Sequence, residues 1–340
     1  MNENDILAIQ TLLATSKKIA IIPHRGPDGD AMGSTLGLYH FLIKLNHNVT
    51  VIAPNNFPDF LDWMPGSEKV LVFENDTKAT TQILEESDIV FTLDFNALHR
   101  TGDKMEIVLS QLQTIFIMID HHQSPDDYAT YTYSDTNIGS TCEMIYNFIE
   151  QLGQKQLLDK TIATCIYTGI LTDSGGFKYP KTTGRTHRIA ADLIDVGVEN
   201  TEIPNLLFDN NSYSRLQLLG RAMSNLKVLP EFKTAYTKLS QLELDEFDYM
   251  KGDTEGFVNY GLSLKNINFA TIFIEHADEK IIKISFRSQG NFDVNQFARD
   301  YFSGGGHINA AGGKSDLSME ETISKFESIL TQINIKSLVK

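Results

Sequence analysis

Four uninterrupted apolar runs constrain this chain most. They are KKIAIIP (17–23), NVTVIAP (48–54), DIVFTLDF (88–95) and TIFIMID (114–120). Each is short, rich in Ile, Val and Phe, and shows no polar alternation. Strands of that kind are buried on both faces, as in a parallel sheet flanked by helices. The segments between them supply those helices. AMGSTLGLYHFLIKLN (31–46) places Leu36, Leu38, Phe41, Leu42 and Leu45 at helical spacing, and KATTQILEES and DKMEIVLSQL read the same way. This βαβα order predicts an α/β fold, a mainly parallel open sheet with helices on both faces.

The pattern changes along the chain. STCEMIYNFIEQLG (140–153) and DKTIATCIYTGILTD (159–173) predict two further helices. RTHRIAADLIDVG and YSRLQLLGRAMSNL are helical but more polar, so 186–225 reads as an ordered helical connector. From 226 to 340 the segments KVLPEFKTAYTKLS, FATIFIEH and KIIKISFRS are β-rich, with helices at NQFARDYF and SMEETISKFESILTQI. The expected organisation is a domain over 1–185, the connector, and a smaller α+β domain over 226–340. At 340 residues both domains have room for a core.

The net charge of −15 argues against a partner such as long nucleic acid, which an acidic surface repels. No apolar run reaches the length of about 20 residues that spans a bilayer, so no membrane partner is expected. The acidic start MNENDILAIQ has no basic segment followed by a long apolar core, which predicts a cytoplasmic protein. Cys142 and Cys165 lack a CxxC spacing and read as buried, reduced thiols.

In open α/β sheets, ligands gather outside the carboxyl ends of the strands. Here those ends carry acids and histidines. His24 follows the first run, with Asp28 and Asp30 in the next loop. Asp94 ends the FTLDF run, and Asp120, His121 and His122 end MIDHH. Asp173 stands where a helix breaks at Gly175–Gly176. Each has an ordinary explanation alone: Asp28 or Asp30 as a helix cap, Asp94 as a strand end, the histidines as surface groups. Together they would need a separate coincidence each at one edge. Mixed carboxylate and imidazole donors suit Mn²⁺, Mg²⁺, Fe²⁺ or Co²⁺. So many acids would use two cations, about 3.5–4 Å apart, a pair that serves phosphoryl transfer. Arg100, six residues after Asp94, reads as pairing with an acid of the site or with phosphate, and equally as a surface group. Ser140 and Thr141 read as helix caps.

HRGPDGDAMGS, FTLDF, IDHH and GILTDSGGF resemble, in this order, the motifs of the DHH phosphoesterase family. The resemblance covers most of 18–180. It implies His24 and Asp28 on one Mn²⁺, Asp30, His121 and Asp173 on the other, and Asp94 bridging them. It implies that Asp120 orients a histidine ligand and that His122 faces the phosphate or leaving oxygen, with metal-activated hydroxide as nucleophile. Gly29 would permit the turn between the aspartates, and the amides of Gly33 and Ser34 could touch an anion. SFRSQG (285–290) and YFSGGGHINAAGG (301–313) resemble the DHH-associated C-terminal domain of the first type. That resemblance implies substrate contacts at Arg287, Ser288, Gly305, Gly306 and His307.

The first-type second domain argues against the pyrophosphatase branch, and the length argues against the large RecJ-type exonucleases. The resemblance is nearest to compact bifunctional nanoRNases. These hydrolyse short RNA or DNA oligonucleotides to mononucleotides, and 3′-phosphoadenosine 5′-phosphate to AMP. The alternative is a soluble phosphodiesterase for cyclic di-AMP or its linear dinucleotide. The family also suggests a homodimer.

Overall fold

A computed structural model describes residues 1–333; the last seven positions of the expected second domain, 334–340, lie outside the described residues. The chain divides into two compact units, Met1–Asn210 and Asn211 onward.

The first unit runs α1 (Glu3–Leu13), β1 (Lys18–Pro23), α2 (Gly29–Lys44), β2 (Asn48–Ala53), β3 (Leu71–Val72), α3 (Thr77–Glu85) and β4 (Ile89–Leu93). It continues with α4 (Asp103–Gln111), β5 (Ile115–Asp120), β6 (Tyr131–Ser134), α5 (Thr141–Gln151), α6 (Lys160–Asp173), α7 (Gly184–Asp195) and α8 (Glu202–Phe208). The strands form one sheet in the order β3-β2-β1-β4-β5-β6, and every pairing in it is parallel. The four apolar runs are therefore the four inner strands. Alternate residues go to opposite faces. Ile19, Ile21, Phe91, Leu93, Ile117 and Ile119 pack with α1, α2, α5, α6 and α7. Ala20, Ile22, Val90 and Phe116 pack with Leu84 of α3 and with Met105 and Leu109 of α4. The edge strands β3 and β6 escape sequence reading because one has two residues and the other, YTYS, is polar and half exposed.

Helix α2 lies against α6 through Gly29, Gly33 and Gly37. A Cβ on Gly29 would stand 2.6 Å from the Thr172 side chain, and one on Gly33 2.6 Å from the Cys165 carbonyl oxygen. Close helix approach, and not a tight turn, explains Gly29, which has no positive φ. Gly33 serves the same contact, and Ser34 is buried with its hydroxyl donating to the Ala31 carbonyl at 3.2 Å.

Within 186–225, α7 buries Ile189, Ala190 and Leu193 in the core of the first unit. The second unit begins with α9 (Tyr213–Ser224) and runs β7 (Lys227–Leu229), β8 (Thr234–Leu239), α10 (Gln241–Glu246), α11 (Phe257–Leu262) and β9 (Phe269–His276). It ends with β10 (Ile281–Ser288), α12 (Val294–Phe302), β11 (Gly305–His307), β12 (Ala310–Ser315) and α13 (Met319–Gln332). Its sheet has the order β11-β12-β10-β9-β8-β7 and is mixed, since β8 and β9 pair in parallel and the rest antiparallel. One face carries Phe269, Phe273 and Phe286 under α12 and α13. On the other, Ala235, Ala270, Ile272 and Ile274 pack with α9, α10 and α11.

Candidate metal centre

The strand order of the first sheet reverses between β1 and β4, the position where such sheets open a crevice. The metal-type side chains lie there. His24 follows β1, Asp94 follows β4, and Asp120 closes β5, with His121 and His122 next. Asp28 caps α2, its Oδ1 accepting from the amides of Asp30 and Ala31 at 3.0 and 3.1 Å. Asp30 sits in the first turn of α2, and Asp173 is the last residue of α6. All eight sequence-predicted residues of this unit's rim therefore come to one place.

Asp94 organises the group. It is 2% exposed and holds φ at 65°, a conformation few non-glycine residues adopt. Its amide donates to the Ile119 carbonyl at 3.1 Å, which fixes the end of β4 against β5. Its two carboxylate oxygens point to different histidines. Oδ2 lies 3.5 Å from His24 Nε2, and Oδ1 lies 3.4 Å from His121 Nε2. His24 Nε2 is also 3.9 Å from Asp28 Oδ2. His121 Nε2 is 3.3 Å from Asp173 Oδ2 and 3.8 Å from Asp30 Oδ2. Donor atoms of His24, Asp28 and Asp94 lie within 4.8 Å of one another, as do those of Asp30, Asp94 and His121.

Backbone carbonyls set the histidine tautomers. His24 Nδ1–H donates to the Arg25 carbonyl at 3.0 Å, and His121 Nδ1–H to the Ile138 carbonyl at 3.2 Å. In both rings the lone pair then belongs to Nε2, the atom facing the carboxylates. Asp120 differs from the expectation that it orients a histidine ligand. Its Oδ1 accepts from His122 Nδ1 at 2.7 Å and its Oδ2 from the His122 amide at 3.1 Å. It holds His122, because a carboxylate at the strand end reaches the residue two positions on.

Helix α5 closes the site from behind. The amides of Thr141 and Cys142 donate to Asp30 at 2.6 and 2.9 Å, so a helix N-terminus neutralises this buried acid. Ser140 is the cap, accepting from the Glu143 amide at 3.1 Å. Thr141 is not a cap: its hydroxyl donates to Asp94 Oδ1 at 2.8 Å. Sequence reasoning missed this role, as it missed the Arg25 and Ile138 carbonyls. The one available signal was a polar Ser-Thr pair opening an otherwise apolar helix.

Charge in the cluster is shared unevenly. Burial, then repulsion from Asp94 and Asp173, holds the Asp30 carboxyl well above its usual range. Burial raises Asp173 to about 7, with Asp28 and Asp94 adding to the effect against the pull of His121. Burial opposes charge on His121, yet Asp94, Asp173 and Asp30 overcome it and raise the imidazole to about 10. Burial likewise opposes charge on Asp94, but His121 and His24 beside it hold its carboxyl well below the ordinary range. Such a site retains protons where positive charge is needed, and cations bind by replacing them.

Arg100, on a short 3₁₀ turn after β4, is half-buried, and its charge is felt at His24. In the second unit, Arg287 and His307 flank Ala310 in one cross-strand row, both paired to it in register. Ser288 is otherwise occupied: it is 6% exposed, donates to the Phe292 carbonyl at 2.7 Å and accepts from the Asn309 amide at 2.9 Å. It holds the loop after β10. The Gly306 amide donates to Asn295 Oδ1 at 2.9 Å, and a Cβ there would meet the Ala310 carbonyl oxygen at 2.5 Å. Gly305 precedes it in β11, half-buried and paired to Gly312.

Comparison with known proteins places this geometry. Residues 18–170 match the DHH family N-terminal domain and residues 232–334 the DHHA1 domain. A Thermus thermophilus protein named bifunctional oligoribonuclease and PAP phosphatase NrnA is 31% identical over 310 residues, 90% of this chain and 86% of the relative. The Bacillus subtilis protein of that name is 29% identical over 295 residues, 86% of this chain and 88% of its own. An exopolyphosphatase-related protein from Bacteroides fragilis superposes with a TM-score of 0.94 at 40% identity, over 98% of both chains. Exonuclease RecJ bound to manganese shares the fold, with a TM-score of 0.54 at 14% identity over 97% of this chain and 94% of its own. The ordered motifs, the shared rim of strand ends and these relatives agree: this chain belongs to the DHH family of phosphoesterases and carries a DHHA1 domain in its second half.

Proposed function

We propose that this protein hydrolyses short oligoribonucleotides to mononucleotides and 3′-phosphoadenosine 5′-phosphate to AMP. The relatives named for both activities span most of the chain. One structural observation carries the reading: the two oxygens of Asp94 serve two separate histidine-carboxylate sets. A carboxylate so placed would be shared by two cations.

The donors fit divalent ions such as Mn²⁺, since they mix imidazole with carboxylate and include no thiolate. His24 and Asp28 would hold one ion, Asp30, His121 and Asp173 the other, with Asp94 common to both. When bound, such a pair lowers the pKa of water toward neutrality and offsets negative charge on a phosphate. Asp120 fixes the His122 ring through Nδ1, so the opposite ring nitrogen is the one to exchange a proton with the leaving oxygen. The Arg100 guanidinium makes no hydrogen bond or ion pair among the described residues and serves the substrate phosphate. Arg287 and His307 hold another part of the nucleotide. Among the described residues no helix is long and apolar enough to cross a membrane. We place the protein in the cytoplasm, as a homodimer.

The test is a rate comparison with Mn²⁺ on RNA dimers to pentamers, 3′-phosphoadenosine 5′-phosphate and cyclic di-AMP. The expected result is turnover of the first two classes. A much faster cyclic substrate overturns the assignment. Tight nucleotide binding without turnover in any divalent metal would mark a silent binding protein instead.

A further inference from the structure

The metal-type side chains follow β1, β4 and β5. Their neighbour β2 ends in a different polar residue. Asn55 stands two positions after β2 and is 7% exposed. A buried amide needs partners, and this one has two. Its Oδ1 accepts from the Gly26 amide at 2.6 Å, and its Nδ2 donates to the Asn56 carbonyl at 3.2 Å. The second bond decides which way the amide faces, so that its oxygen meets the Gly26 N–H.

Gly26 lies between two members of the cluster. Three residues separate His24 from Asp28, and of these Pro27 has no amide hydrogen to give. Arg25 and Gly26 therefore carry the two amides that can tether this stretch. Both are used, by the two strands that flank β1. The Arg25 amide donates to the Arg100 carbonyl after β4, at 2.8 Å, and the Gly26 amide donates to Asn55 after β2. Gly26 holds φ at 66°, and a Cβ there would meet nothing within 4 Å. Conformation, and not space, calls for glycine at this point. Glycine passes readily between left-handed and right-handed backbone, so a bond from outside must select the turn. At the two ends of that turn, His24 Nε2 and Asp28 Oδ2 stand 3.9 Å apart.

We propose that Asn55 is a positioning residue for the cation held by His24 and Asp28: by fixing the Gly26 turn it sets these two ligands relative to each other. The inference rests on the paired-cation reading above. Groups that hold ligands in place govern metal affinity as the ligands do, and losing one costs roughly 10–100-fold. The other ion's ligands are held elsewhere. Asp30 is fixed by the amides that open α5, and His121 by the Ile138 carbonyl. The effect of Asn55 is therefore confined to one ion of the two.

The experiment titrates Mn²⁺ into the metal-free parent, N55A, N55S, N55D, D28N and the N55A/D28N double variant. Calorimetry gives the affinities, and the EPR signal of free Mn²⁺ gives the number bound. The parent is expected to bind two ions. N55A should weaken one of them about 10–100-fold and leave the other within threefold. N55S, whose hydroxyl is one atom short of Gly26, should behave as N55A does and keeps a polar group at the buried position. N55D retains the accepting oxygen. In it the ratio of the two affinities should return to within threefold of the parent's, since the added charge acts on both ions. Asp28→Asn keeps a good helix cap and removes the ligand charge. Adding N55A to D28N should then weaken Mn²⁺ no more than threefold further, because no ligand pair is left for the turn to set. Both affinities within threefold of the parent in N55A and N55S would overturn the proposal. So would equal weakening of both ions, full additivity with D28N, or an N55D no better than N55A. A parent that binds fewer than two ions would overturn the paired-cation reading and the proposal together. A parent that binds two ions and hydrolyses no nucleotide would sink the assigned activity alone, since the titrations need no turnover.

Discussion

Gly169 on α6 shows how far the centre depends on packing behind it. A Cβ at this position would stand 2.2 Å from Cys142 Sγ, 2.8 Å from Asp30 Oδ1 and 3.0 Å from Asp30 Cα. Ordinary contact needs roughly 3.5–4.0 Å. Gly169→Ala must therefore push α5 and α2 outward, since the Asp30 backbone cannot rotate away. Overpacking of this kind costs about 1–3 kcal/mol. The better helix propensity of alanine offsets about 1 kcal/mol of it. A net loss of about 0–2 kcal/mol lowers the melting temperature of a unit this size by up to roughly 8 °C. Activity should suffer more than stability. Asp30 accepts from the amides of Thr141 and Cys142 at the start of α5, and displacing it by about 1 Å would cost on the order of 10² in turnover. The assay is a thermal melt of metal-free protein together with kcat/KM in Mn²⁺. Cys142→Ala removes the nearest clash but not the contact with Asp30, so the double variant should recover part of the stability of G169A. A G169A protein that melts at or above the parent temperature with full activity would refute the reasoning. Strict additivity of the two substitutions would refute it too.

Asp94→Asn keeps the shape of the bridge and removes its charge, so turnover should fall by about 10³ or more, and near-normal rates would reject the bridging role. Thr141→Val deletes the hydroxyl that donates to Asp94 and should raise the Mn²⁺ concentration for half-activation roughly 10–100-fold, with the fold intact by circular dichroism. Arg287→Ala should raise KM and spare kcat, because the residue belongs to the second unit and the metal-type side chains of the rim all belong to the first; a pure kcat loss would contradict this. In chelator-treated protein, Asp173 at about 7 and His121 at about 10 both hold protons that the unfolded chain has lost at those pH values. Raised pKa values give stability that is present at low pH and lost as pH climbs through them. The melting temperature should therefore fall between pH 5.5 and 8.5, with Mn²⁺ restoring most at the upper end; a flat or rising profile would count against it.

Periodicity made the first sheet legible because its four inner strands are largely buried on both faces and carry few polar residues to blur them. The short strands Leu71–Val72 and Tyr131–Ser134 lie at the edges, where burial no longer dictates composition. The acids and histidines of the rim were legible because parallel strands all end on one side, so residues distant in sequence share an edge. What resisted reading was the support behind them. Asp120 reaches His122 through a local turn, Thr141 meets Asp94 from a helix 47 residues on, and Gly33 exists for a contact with α6. Ser288 carried a binding signature, and the bond it makes to the Phe292 carbonyl, which holds its own loop, was not legible. A single sequence lists residue types; which partner each one satisfies is decided by the packing of elements it does not pair.

The acidic surface and the cationic demands of the site fit together. At physiological salt a charge is screened over about 8 Å, so the surface acids act on what lies close along the exterior and hardly reach into the crevice. A long polymer must lay phosphates along that exterior. A dinucleotide or a bisphosphate nucleotide does not, and on the proposed reading it would meet Arg100, whose charge is felt at His24. The buried acids work in the same direction. Four carboxylates, Asp28, Asp30, Asp94 and Asp173, approach His24 and His121. They cannot all be ionised at low dielectric cost unless positive charge enters with them. The same crowding that disfavours the empty charged site makes it a strong cation trap, and two divalent ions would just offset the four carboxylates. Selection for small anions then follows from where charge is placed, against a net charge that by itself would repel them.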